Sequence, residues 1–423
     1  MSFMRFSAVP TGCLGDRKAP WAIYGDRLGD PDGLEASAFA GVNLAPIAPV
    51  PSAPMFDPES LFGLHLAGHP FHLEAGAPVV VFVHGFCYEP RRPVAARCRS
   101  DNAHRTLYHF AETPAGPGSV EERRRRTTPW FARAMLEDGT GTDEACSGLA
   151  VGFSYASYGG EAEPFLPGLP TRLRDRLGLV APWEEPSEPF EDAYTDAGTA
   201  GCGLAAVLTQ LRARLDHAGY DDRPIDLVCH SLGARTVLTA LSMLAQRSAE
   251  DDTIAGIGRV LMLSGVCYWG QAADALANLR FAAPASLPEF YNFTSRSDDV
   301  LRHFGRRRTA KGPRRASTEM LGLDRSEVRL IRSGRTTGRD GRPDHALYSA
   351  FGDAYDHWID IPLDALATRR WGRQMGFDLD GGQHSALGTH WVSFTHPGNW
   401  ALYRRILHER TDWSVARMKV DLG

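Results

Sequence analysis

Residues 77–86 read "APVVVFVHGF". A strand with one face in water alternates apolar and polar side chains, and this run does not alternate. An apolar, β-branched run of strand length that ends on a glycine must be buried on both faces, so it needs a layer of structure on each side of its sheet. The pattern recurs in "GLAVGFSYAS" at 148–157, "PIDLVCH" at 224–230, "GRVLMLSG" at 258–265 and "EFYNFTSR" at 289–296. Helical spacing fills the gaps. Leu204, Val207, Leu208, Leu211 and Leu215 recur on one face within 194–219, with Gly219 as a cap, and "GARTVLTALSMLAQR" follows Leu232 directly. Strands alternating with helices predict an α/β fold, with a mostly parallel sheet, right-handed crossovers and ligands bound at the carboxyl ends of the strands. Three chemically suggestive points fall at such ends: His84-Gly85, Ser231 and Asp298.

Ser231 sits in "LVCHSLGART", between an apolar strand and a helix. A strand–Ser–helix turn lifts the hydroxyl above the sheet on a strained backbone, and the positions two before and two after the serine must be small for strand and helix to pack. Gly233 meets the second requirement, and Cys229 stands where glycine is usual at the first. The alternative is a plain helix-capping serine; the apolar strand before it and the helix after it favour a nucleophile. The helix N-terminus behind it stabilises nearby negative charge. A tetrahedral oxyanion needs two backbone N–H donors. Leu232, next after the serine, and Phe86, in the loop after 79–83, are the expected pair. His84 is expected to shape that loop rather than carry protons.

Serine attacks well only when a base takes its proton, and the base needs an orienting carboxylate. In an α/β chain of this kind the order is Ser, acid, His. Asp298 lies just past a strand in "NFTSRSDDVL" and is the expected acid, with Asp299 as alternate; Asp226 lies at the wrong end of its strand. Before the last long helical stretch, "GQHSALGTHWVSFTHPGNW" offers His384, His390 and His396. His390 suits the role best because it leaves a short loop before Pro397, which fits a helix start. His384 and His396 stay as alternates, since spacing does not separate the three further.

With those residues placed, the chain resembles the α/β-hydrolase superfamily. Within it, the chain looks like a bacterial serine-hydrolase branch of esterase/lipase type that carries HS(M/L)GxR and SRxD motifs. Here these read "HSLGAR" at 230–235 and "SRSD" at 295–298, with a tyrosine-led helix at 194–215. The resemblance covers about 77–301 and the chain from about 384. It implies an eight-stranded sheet flanked by helices, a Ser231–Asp298–His390 triad, a small-molecule carboxylic ester as substrate and no cofactor. An acyltransferase or thioesterase would use the same triad with a different acceptor or acyl donor, and a non-catalytic binding protein would keep the fold with an unreactive Ser231. Cys229 and the long 302–383 segment depart from the pattern.

Residues 1–75, rich in Pro, Gly and Ala as in "LAPIAPVPSAPMF", are expected to form an irregular extension. The hydrolase domain is expected over 76–423, with insertions at about 88–147, 158–193 and 302–383; the Pro-punctuated 158–193 stretch suits a lid over Ser231. The net charge of −5 argues against a dedicated nucleic-acid binder. No apolar stretch is long enough for a membrane span. The first residues lack the basic start and apolar run of a signal peptide, and the seven cysteines are scattered without CxxC spacing, so a cytoplasmic location is expected. The pattern sets no oligomeric state. His65, His69 and His72 lack a matching carboxylate or cysteine, and "DLDGGQ" at 378–383 lacks the later glutamate of a calcium loop, so no metal is expected. The basic runs at 122–127 and 305–315 are expected as solvated loops. Tyr88, Tyr158, Tyr268 and Trp269 suit either a pocket wall or ordinary packing.

Overall fold

A computed structural model describes residues 2–10, 20–26, 44–49, 73–74, 76–86, 88, 103, 130–135, 148–157, 188–247, 253–284, 286–298, 300–301, 320–321, 356–382 and 389–422. The apolar runs form the strands the pattern predicts. They are β4 (Val79–Val83), β5 (Leu149–Tyr155), β6 (Ile225–His230), β7 (Ile257–Leu263) and β8 (Glu289–Thr294). All five residues of β4 are fully buried, each stabilising the fold by roughly 1.5–3 kcal/mol relative to an exposed side chain. Alternate residues serve different cores. Val79, Val81 and Val83 point into one cluster, Val80 and Phe82 into a second on the other face.

Two layers of helix cover those faces. On the first lie α2 (Glu188–His217), α3 (Gly233–Gln246) and α4 (Trp269–Ala282), which bring Leu204, Leu211, Val237, Leu241 and Leu276 to the sheet. On the second lie α1 (Trp130–Met135), α5 (Leu366–Gln374), α7 (Pro397–His408) and α8 (Val415–Leu422), with Trp130, Trp371, Leu402, Tyr403 and Met418. Gly219 ends α2 at a φ of +79°, where Tyr220 N–H returns to the Leu215 carbonyl at 2.8 Å. That backbone region favours glycine.

With β1 (Ser2–Pro10), β2 (Trp21–Asp26), β3 (Leu44–Pro49) and β9 (Trp358–Pro362), the sheet has nine strands among the described residues, in the order β3-β2-β1-β5-β4-β6-β7-β8-β9. From β1 to β9 every neighbouring pair is parallel, and β2 and β3 add an antiparallel edge. This is an α/β fold of the kind expected, consistent with an α/β-hydrolase, with one strand more than the resemblance implied. The chain goes from β4 to β5 on one side and then to β6 on the other, so a crevice opens between the carboxyl ends of β4 and β6.

Three expectations need correction. Residues 1–75 are not irregular throughout, because they supply β1 (Ser2–Pro10), β2 (Trp21–Asp26) and β3 (Leu44–Pro49). Pro46 and Pro49 read as loop residues, yet β3 is the outermost strand, where a missing N–H costs no ladder bond. The segment 302–383 is not all insertion: it contains β9 (Trp358–Pro362), the opposite edge of the sheet, and α5. Nor are 88–147 and 158–193 wholly so. Helix α1 packs Trp130 against Phe82, Phe394 and Trp400, and α2 begins at Glu188. The rest of the expected lid, with Tyr158, lies outside the described residues, as do the three histidines at 65–72 and both basic runs.

Candidate active site

Ser231 follows β6 with a φ of +54°, a left-handed conformation that non-glycine residues adopt rarely. Hydrogen bonds on both sides hold it there. Its N–H donates to the Leu263 carbonyl at 3.0 Å, and its carbonyl accepts from Val266 N–H at 2.7 Å and Ala234 N–H at 3.1 Å. Close packing explains the small neighbours. A Cβ on Gly233 would lie 2.5 Å from the Val83 carbonyl oxygen and 2.6 Å from that of His84. Cys229 is fully buried and directs its thiol to the Leu261 carbonyl at 3.6 Å. Burial pushes that thiol's pKa up, which keeps it protonated and inert.

Ser231 Oγ lies 2.9 Å from His390 Nε2, and His390 Nδ1 lies 2.8 Å from Asp298 Oδ2. A carboxylate only accepts, so Nδ1 carries the ring proton and Nε2 is left to accept from the serine hydroxyl. The other Asp298 oxygen accepts Leu301 N–H at 2.9 Å. All three side chains are buried. His390 stands on the short helix α6 (Thr389–Thr395), which arrives from the far end of the chain. Of the alternates, Asp299 and His384 lie outside the described residues. His396 lies elsewhere: its Nε2 faces Asp378 at 4.0 Å, just before α7.

The loop after β4 runs against the serine. A Cβ on Gly85 would lie 2.5 Å from Ser231 Cβ, so only glycine lets the loop come this close. His84 is fully buried and holds the loop's shape. Its Nδ1–H donates to the Gly85 carbonyl at 2.7 Å, while Nε2 accepts from Tyr155 N–H at 3.0 Å and the Ser154 hydroxyl at 2.9 Å. Burial lowers its pKa to about 3, so it is neutral and fully used. Ser157 adds a bond to the Gly85 carbonyl at 2.8 Å. Phe86 is half-buried against the first core and Leu232 is buried. Among the described residues, neither of their backbone N–H groups finds an acceptor. Tyr88 packs on His84, Tyr268 on Tyr194 and Trp269 on Trp358.

Sequence reasoning missed His230, beside Ser231. Its ring packs 4.7 Å from that of His390 and edge-on to Phe394, and its Nε2–H donates to the His390 carbonyl at 3.2 Å. Burial first, and the neighbouring His390 second, hold its pKa well below the usual value. A signal existed. Positions 228 and 230 share a strand face, so His230 had to point into the second core, where a neutral, bonded imidazole is the stable form.

No protein-family model matches the chain, and no curated protein does. Among solved structures, it is similar to a crystal structure described as a C4-C4 SN3 tributyrin phosphonate inhibited by esterase B from Lactobacillus rhamnosis, at 16% identity and a TM-score of 0.19. That alignment covers 57% of this chain and 62% of the other, so it spans less than two thirds of the esterase. No helix among the described residues is long and apolar enough to cross a membrane.

Proposed function

We propose that the protein is a serine hydrolase that cleaves small carboxylic esters through an acyl-enzyme on Ser231. The observation that carries this reading is the buried hydrogen-bond chain from Ser231 Oγ through His390 to Asp298, at the sheet's topological switch point.

In the first step His390 Nε2 takes the hydroxyl proton as Ser231 Oγ attacks the ester carbonyl. The imidazolium so formed is held by Asp298. The carbonyl π pair moves onto oxygen, where the Leu232 and Phe86 N–H groups receive the oxyanion beside the N-terminus of α3. Collapse of the tetrahedral adduct breaks the C–O bond, and Nε2–H gives its proton to the departing alkoxide, which leaves as the alcohol. Water then repeats the sequence on the acyl-enzyme, releasing the acid and restoring the serine. No step calls for a cofactor.

The test is intact-mass analysis after exposure to a fluorophosphonate, with peptide mapping and Ser231→Ala as control, followed by a panel of esters. One adduct on Ser231, absent from the control, is expected. A well-folded protein that stays unlabelled with small phosphonates, and turns over no ester, would leave a binding protein on this fold.

A further inference from the structure

The bonds that aim the acid come from outside the three reacting side chains. Asp298 is carried on the turn 295–298, just beyond β8, and a turn of four residues has no rigidity of its own. Its order comes from Asp364, two residues past the end of β9. One oxygen of that carboxylate, Oδ2, accepts Arg296 N–H at 2.9 Å, Ser297 N–H at 3.0 Å and the Ser297 hydroxyl at 3.0 Å. Asp364 is 7% exposed, so these are charge-assisted bonds in a site with little water to compete.

The same residue touches the chain that leads to the base. At Gly381 an added Cβ would lie 2.5 Å from both the backbone nitrogen and the Cβ of Asp364, so the two segments are in direct contact. Ser295 Oγ donates to the Gly381 carbonyl at 2.8 Å and accepts Ser297 N–H at 3.1 Å. Beyond Gly381, Asn399 bridges the Asp380 backbone and the Val392 carbonyl on α6, the helix that bears His390. The acid turn is thus bonded to the Asp364 carboxylate, while the backbone and Cβ of the same residue pack against Gly381, whose neighbour Asp380 is tied through Asn399 to α6.

From this juxtaposition we infer that Asp364 is a positioning residue for the reaction proposed above: it fixes the Asp298 turn against the 378–382 segment and so sets the alignment of Asp298 with His390. The inference rests on the serine-hydrolase reading. Asp364 touches neither Ser231 nor His390 and moves no proton. Its Oδ2 accepts from two backbone N–H groups and one hydroxyl, as expected for a group that acts through another.

The test compares the full-length wild type, Asp364→Ala and Asp364→Asn. Asparagine keeps an oxygen acceptor for the two N–H groups, whereas alanine leaves them buried without one. Three readings are taken: thermal unfolding, the first-order rate constant for Ser231 phosphonylation at saturating small fluorophosphonate, and the downfield proton resonance of His390 Nδ1–H in its bond to Asp298. Misplacement on the 1 Å scale costs on the order of 10²-fold in rate. Asp364→Ala is therefore expected to slow phosphonylation about 100-fold with its downfield resonance moved or broadened away. Asp364→Asn is expected to recover to within about tenfold of wild type with the resonance retained. An Asp364→Ala protein that folds, labels at the wild-type rate and keeps the resonance overturns the inference. If Asp364→Ala does not fold, the asparagine variant decides: a fully active Asn variant whose resonance has shifted would also overturn it, because alignment would then not matter to rate. A wild type that does not label at all sinks the hydrolase reading itself, a result distinct from any of these.

Discussion

Strand β6 ends in two buried polar clusters, one at each tip, and they differ in kind. At the amino end, Asp226 is fully buried, accepts Arg259 N–H at 2.8 Å and pairs with the Arg410 guanidinium. Arg259 in turn pairs with Glu289 at 2.9 Å and donates to the Ile406 and Arg410 carbonyls, and Glu289 accepts Val415 N–H at 2.8 Å. Two cations meet two carboxylates, and the network ties β6, β7 and β8 to α7 and α8. At the carboxyl end, Asp298, His390 and Ser231 form an open chain that stops at a hydroxyl. The backbone beneath that hydroxyl is in a left-handed conformation, and two N–H groups nearby have no acceptor among the described residues. A closed network has nothing left to give a substrate. An open one, ending in a hydroxyl beside N–H groups with no acceptor among the described residues, has the groups that the proposed chemistry needs.

The largest way to break this contrast is to truncate the proposed base. His390→Ala is expected to lower ester turnover by about 10⁴- to 10⁶-fold, the range seen when one member of a serine triad is removed, while the melting temperature moves by only a few degrees. At the other tip the expectation inverts. Arg259→Ala removes one partner of a buried ion pair and should cost about 3 kcal/mol in unfolding free energy, while turnover per folded molecule stays near wild type. Urea titration and active-site titration with a fluorophosphonate separate the two readouts. If Arg259→Ala lowered the rate per titrated site as far as His390→Ala does, the two ends would not be functionally distinct.

Gly85→Ala sharpens the carboxyl-end claim. The new methyl would have to displace Ser231 Cβ, 2.5 Å away, or the loop that carries Phe86. Either movement is expected to lower phosphonylation of Ser231 by about 100-fold, at an overpacking cost of about 1–3 kcal/mol. Measuring rate and stability on the same sample tells whether the loop's approach matters to chemistry or only to packing.

How legible each end was in the sequence follows from how local its signals are. The β4, β5 and β6 runs announce strands because five or more adjacent side chains must all be buried. Ser231 announces itself because its strand, turn and helix are contiguous. Asp298 and His390 can be proposed from their places beyond β8 and before α7, yet their meeting depends on chain far apart in sequence, and so spacing leaves the choice among His384, His390 and His396 open; in the fold His390 lies within hydrogen-bond distance of both Ser231 and Asp298. The edge strands were illegible for a different reason. β3 carries two prolines and β9 has five residues ending in one, and a strand paired on one side only tolerates what a central strand cannot. Asp364 and the Asp226–Arg259 network left no trace, because each is defined by partners across the fold.

The smallest expected effect concerns acid, and it joins the carboxyl-end site to stability. His84 is neutral in the folded protein, with a pKa lowered to about 3, against an ordinary value of 6.5 when unfolded. The sign follows from proton counting: between those two values the unfolded chain binds a proton that the folded chain refuses, so stability is complete above about pH 6.5 and is lost as pH falls toward 3. The slope is about 1.4 kcal/mol per pH unit, and His230, shifted in the same direction by the same cause, steepens it. Denaturant titrations at pH 7.5, 6.5, 5.5 and 4.5 measure the slope, and His84→Asn should flatten it by one histidine's share. The Asp226 network pulls the other way: burial raises that carboxyl's pKa above its unfolded value, so through this group the folded state binds the extra proton and gains stability as pH falls. A His84→Asn slope equal to wild type would assign acid sensitivity elsewhere and remove the claim that the loop beside Ser231 is held by a histidine that must stay neutral.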